Sequence, residues 1–127
     1  MRRAISAPAA PPAIGPYSQA IIADRLIFTS GQLPMDREGS LVEGDIRAKA
    51  RQCLENLKAI LEAAGARMDD LVKVTVYVTD MGNFAAINEV YGSYFADEPP
   101  ARSFVQVTAL PKGAPLEIEG IATKMAR

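Results

Sequence analysis

The rhythm of apolar and polar residues changes several times along the 127-residue chain, and each change marks a predicted element. Over residues 71–79 the step is two. Val72, Val74, Val76 and Val78 share one face, and Leu71, Lys73, Thr75, Tyr77 and Thr79 share the other, which predicts a strand. Over residues 46–64 the step lengthens to three and four, through Ile46, Ala50, Cys53, Leu54, Leu57, Ile60, Leu61 and Ala64. This predicts an amphipathic helix that Asp45 caps and Gly65 stops. A shorter helix is predicted after a cap at Asn83, with the stripe Phe84, Ile87, Tyr91, Tyr94 and Phe95. Asn88 interrupts that stripe. Its position aims the amide at the packed side, where it is either satisfied by local backbone or turned to a ligand.

The shorter runs complete the fold. Residues 17–22 and 26–30, separated by Ala23-Asp24-Arg25, predict a hairpin, and residues 102–107 and 116–123 predict two more strands. Residues 32–44, with Pro34, Asp36, Gly39 and Gly44, read as a surface loop. The order ββαβαββ implies a single α+β domain spanning 1–127, with one sheet and both helices on one face. Residues 1–14, rich in alanine and proline, read as an extended lead-in, with ordered structure starting near Gly15. The other face of the sheet needs cover, which predicts a homo-oligomer.

Composition narrows the chemistry. There are 14 basic and 15 acidic residues, a single cysteine and no histidine. The charge balance argues against a nucleic-acid partner, and the apolar runs are too short for a membrane span. With no apolar leader the expected location is the cytoplasm. Histidine-dependent pairs and the usual zinc sets cannot be assembled, so neither metal nor cofactor is expected. Carboxylates, hydroxyls, arginine and backbone groups remain for catalysis. Cys53, on the apolar stripe, reads as a small buried hydrophobe.

Two charged positions stand out. In Pro99-Pro100-Ala101-Arg102-Ser103 the prolines stiffen the approach to a strand, so Arg102 is presented in few conformations. It is either a surface ion-pair partner or a planar clamp for a carboxylate or phosphate. In Leu116-Glu117-Ile118-Glu119 the alternation sets both glutamates on one face, either solvated or in a site. With the last two strands paired as a simple hairpin, Arg102 and Glu117 lie on the order of 15 Å apart. Bringing them into one pocket then requires a second copy of the chain.

The segments Gly15-Pro16-Tyr17-Ser18-Gln19-Ala20, Thr29-Ser30-Gly31-Gln32, Asn88, Pro100-Ala101-Arg102-Ser103 and Glu117-Ile118-Glu119 together resemble the RidA (YjgF) family, in order and spacing over nearly the whole chain. The resemblance implies a homotrimer of chorismate-mutase-like α+β subunits with sites in the clefts between them. It also implies hydrolysis of reactive enamines and imines, such as 2-aminoacrylate and 2-iminobutanoate, to 2-oxo acids and ammonia. By that likeness Arg102 clamps the substrate carboxylate and Glu117 orients or deprotonates water. Tyr17, Ser30, Gly31 and Asn88 line the pocket. Many relatives carry cysteine two residues after the arginine, where this chain has Phe104, a residue expected to narrow the pocket. The alternatives are a non-catalytic module for a 2-oxo acid or related carboxylate and, less favoured, an endoribonuclease or a chaperone-like protein.

Overall fold

The structure, a computed structural model, describes residues 1–124. Six strands and two helices follow one another as β1 (Arg2–Ile5), β2 (Ala20–Ala23), β3 (Leu26–Thr29), α1 (Ile46–Ala63), β4 (Leu71–Val78), α2 (Phe84–Gly92), β5 (Ala101–Gln106) and β6 (Leu116–Thr123). They form one mixed sheet in the order β1-β2-β3-β6-β4-β5, in which only β4 and β5 run parallel. The α+β architecture is the expected one.

Three local expectations need correction. The lead-in is extended, but Arg2–Ile5 is a paired edge strand, joined to β2 from Arg2↔Ala23 to Ile5↔Ala20. Gln19 makes that possible: its buried amide accepts from Ala7 N–H (2.6 Å) and donates to the carbonyls of Ala7 (3.1 Å) and Pro11 (2.7 Å), meeting the backbone demands of a proline-rich segment. In β4 the register shifts between Leu71 and Lys73, so Leu71 is buried and Val72 is 45% exposed, the reverse of strict alternation. Asn83 makes no side-chain cap. Asp80 instead accepts from Gly82 N–H, and α2 ends at Gly92, before Tyr94 and Phe95.

The core lies between α1 and the sheet. Cys53, Leu54, Leu57, Ile60 and Leu61 of α1 are fully buried, as are Ile27, Val74, Val76, Val78, Leu116 and Ile118 beneath them. Burial of a large aliphatic side chain contributes about 1.5–3 kcal/mol, so this layer dominates the stability of the subunit. Asp45 caps α1 by accepting from Ala48 N–H at 2.9 Å, and Gly65 adopts φ +85° just past its end. Burial pushes the Cys53 thiol well above its ordinary value, in keeping with an inert hydrophobe.

Asn56, absent from the apolar pattern, is buried on α1 and ties the helix to the long loop. Its amide donates to the carbonyls of Leu33 (3.2 Å) and Met35 (2.8 Å), while Gln52 donates to its oxygen (2.8 Å). Leaving buried carbonyls without donors costs about 1–3 kcal/mol each. Asn56→Ala is therefore expected to lower stability by about 2–4 kcal/mol in urea unfolding; a loss below about 0.5 kcal/mol contradicts this role.

Candidate active site

Strand alternation decides what can meet in one chain. The β4–β6 register opposes Val76 to Ile118 and Val78 to Leu116 on the helix-covered face, and Tyr77 to Glu117 and Thr75 to Glu119 on the other. The β4–β5 register places Arg102 beside Val74 and Phe104 beside Val76, so both belong to the helix face. Arg102 and Glu117 thus point to opposite sides of the sheet. The simple hairpin of the last two strands is also not formed, because β4 lies between β5 and β6. That they do not meet in one subunit holds, for a stronger reason than offset along a hairpin.

On the helix side, Arg102 is held by α2. Its guanidinium carbon lies 4.7 Å from the ring centroid of Tyr91, 5.2 Å from Phe104 and 5.8 Å from Phe84. Nη1 donates to Asn88 Oδ1 at 2.6 Å. Rings engage the faces of a guanidinium, whereas its donors radiate in the plane. With Asn88 taking one donor, the remaining in-plane edge is available to a planar anion. Asn88 itself is exposed, contrary to an amide aimed into packing, and faces the arginine. A hollow of about 350 Å³ adjoins the arginine, lined by Asn88, Tyr91, Gly92, Phe95, Pro99 and Pro100.

On the open side, a cleft of about 700 Å³ gathers Tyr17, Ser30, Gly31, Glu117 and Glu119, with Lys112 at its margin. Reciprocal backbone bonds between Gln32 and Ile118 (2.8 and 3.0 Å) lock the segment that follows β3 against β6. Ser30 Oγ donates to Ser18 O at 2.6 Å, and no hydrogen bond from the Gly31 amide forms among the described residues. Half-burial, then the neighbouring Glu119, push the Glu117 carboxyl above its ordinary value. Glu119 accepts from the Tyr77 hydroxyl at 3.3 Å, while Glu117 accepts no hydrogen bond from the described residues.

The seven residues singled out from sequence therefore form two groups: Tyr17, Ser30, Gly31 and Glu117 on one side, Asn88, Arg102 and Phe104 on the other. The ring contacts of Phe84 and Tyr91 with Arg102 were not foreseen. Their signal was the four-then-three spacing Phe84, Asn88, Tyr91, which puts all three on one side of α2.

The chain and its fold have close counterparts. Residues 7–124 match the family described as Endoribonuclease L-PSP. A RutC family protein of Pyrococcus horikoshii is 53% identical over 125 residues, 98% of this chain and 99% of its own. The human 2-iminobutanoate/2-iminopropanoate deaminase is 49% identical over 123 residues, 96% of this chain and 90% of its own. The chain belongs to the RidA/YjgF family. Among solved structures of RidA/YjgF proteins, Escherichia coli TdcF with bound serine superposes with a TM-score of 0.92 at 44% identity, covering 97% of this chain and 99% of that one.

Gly31 explains how Glu117 fits. A Cβ at residue 31 would lie 2.6 Å from the Glu117 carboxyl carbon, closer than real contacts allow. Because the atoms met are the far end of a flexible side chain on an open cleft, Gly31→Ala is expected to push the Glu117 carboxyl aside at a cost of no more than about 1 kcal/mol, and to cost less still in a Glu117→Ala background. Additive losses in this double-mutant cycle contradict the contact.

Proposed function

We propose that the protein hydrolyses small imines and enamines of 2-amino acids, 2-iminobutanoate and 2-aminoacrylate among them, to 2-oxo acids and ammonia. The observation that carries this reading is the matched pair of half-sites: a preset arginine edge on one face of the sheet, and a carboxyl group of raised pKa in a cleft on the other. Two copies build each site, Arg102, Asn88 and Phe104 coming from one and Tyr17, Ser30, Gly31 and Glu117 from its neighbour, in a homotrimer. Ile21, Phe28, Ile121 and Val105 on the open face, with Phe28 40% and Val105 37% exposed, supply apolar surface for that assembly.

The chemistry needs only what these residues offer. The substrate carboxylate pairs with the free edge of Arg102, which fixes the imine carbon. An enamine first takes a solvent proton on its β carbon to become the iminium, the form in which the imine also reacts. Glu117, ionised, takes a proton from water as the water oxygen bonds to the iminium carbon, giving a neutral carbinolamine. Returning that proton to nitrogen makes ammonia the leaving group. As the C–N bond breaks the hydroxyl proton passes to Glu117, so that the 2-oxo acid and ammonia leave and Glu117 then gives the proton to solvent or to the ammonia. The raised pKa suits both halves of this exchange. The Gly31 amide can donate to a polar substrate atom, the Ser30 hydroxyl, its proton already given to Ser18 O, can accept from one, and Tyr17 closes the cleft.

A second reading, binding without turnover, is favoured by one finding: the relative TdcF holds serine in its structure. The endoribonuclease in the family description has less support, since the chain has no histidine and a formal net charge of −1.

Ammonia release from freshly generated 2-iminobutanoate distinguishes them. The wild type is expected to accelerate it and Arg102→Ala to abolish the acceleration with the oligomer intact; equal rates with and without protein favour the binding module. Because Glu119 is engaged by Tyr77 and Glu117 is not, Glu117→Gln is expected to cost about 100-fold or more in kcat and Glu119→Gln under about tenfold. Equal losses contradict the assignment of Glu117.

A further inference from the structure

Glu117 does not stand alone in its cleft. Glu119 lies two residues on along β6, on the same open face, and both side chains line the same cavity. Alternate positions of a strand are about 6.5 Å apart, inside the screening length of about 8 Å at physiological salt. Each carboxylate therefore feels the charge of the other.

Tyr77 treats the two differently. The β4–β6 register sets it opposite Glu117, yet its hydroxyl reaches diagonally and donates to Glu119 at 3.3 Å. Burial, then the charge of Glu119, push the Tyr77 phenol above its ordinary value, so it remains a donor across the working pH range. Glu117 receives no such bond from the described residues. The other titratable or charged groups around Glu117 are Tyr17 from the N-terminal segment, Lys112 from the turn before β6, and Arg102 of the neighbouring copy in the proposed assembly. Cys53 lies beneath on α1 as a buried thiol. Lys112 is occupied elsewhere, donating to Gly39 O at 3.0 Å.

We infer that Tyr77 and Glu119 are positioning residues that divide the labour of the two carboxyls: Tyr77 pins Glu119 as a standing charge beside Glu117, and that charge makes Glu117 the proton-exchanging member. The inference rests on the deaminase reading for the reaction it serves. Glu117 acts as a base only when ionised, so activity falls as pH drops through its pKa. A neighbouring anion raises that pKa; removing the anion moves the fall to lower pH and leaves a weaker base.

The test reads kcat/KM for 2-iminobutanoate, above the uncatalysed rate, against pH. In the same oligomer without substrate, 13C NMR follows the Glu117 carboxyl, assigned by its loss in Glu117→Gln. Glu119→Gln, close in size and shape, is expected to move the acid limb and the NMR midpoint down together by about 0.5–1.5 pH units. High salt is expected to lower the wild-type midpoint towards that of the variant. Tyr77→Phe is expected to shift both readouts in the same direction, and to add nothing in a Glu119→Gln background. Midpoints that stay within about 0.2 units of wild type in Glu119→Gln overturn the charge coupling. A further shift from Tyr77→Phe in the Glu119→Gln background overturns the route through Glu119. Acceleration of no imine by the wild type overturns the deaminase reading instead, and the NMR midpoints still decide the pairing.

Discussion

The two-residue alternation of a β-strand is the constraint on which everything else depends. It turns Arg102 towards α2 with the valines of β4, and Glu117 away from the helices with Tyr77. No rotamer change moves a side chain through a sheet. The proposed chemistry is accordingly tied to assembly, because one chain holds Arg102 and Glu117 on opposite faces and cannot bring them together.

Each half is held by groups that have no part in bond-making. Exposed cation–π contacts are worth about 0.5–1 kcal/mol each, little for stability, yet three rings and one amide oxygen around Arg102 remove most of its conformational freedom. A clamp organised before binding loses less entropy when its anion arrives. On the other side, Gln19, Asn56 and the Gln32–Ile118 pair fasten the N-terminal segment and the long loop, so Tyr17, Ser30 and Gly31 stand on secured backbone. Glu117 keeps its raised pKa because that cleft half-buries it beside a second carboxylate.

Most of the fold was legible because its elements are strongly periodic. The stripe from Ile46 to Ala64 and the valines of β4 have one reading each, and the two-helix, one-sheet architecture follows from their order. The failures were of another kind. β1 is short and is followed by a segment rich in proline and alanine; what fixes it is a buried Gln19, a tertiary bond with no local trace. The bulge that buries Leu71 and exposes Val72 is invisible to a pattern that assumes strict alternation. The hairpin assumed for the last two strands was wrong because the parallel pairing of β4 and β5 puts β4 between them, and chain order does not give strand order. The candidate site residues rest on family resemblance, whereas the ring enclosure of Arg102 and the clearance at Gly31 follow only from the folded chain.

Subunit mixing tests the shared site most directly. Arg102→Ala retains Glu117, and Glu117→Gln retains Arg102, so neither alone can build a complete site. Co-refolded in equal amounts, the two variants are expected to recover roughly a quarter of wild-type imine hydrolysis, the chance that an ordered pair of neighbours is complementary. A mixture no more active than its separate components, in assemblies shown to contain both chains, would contradict the account.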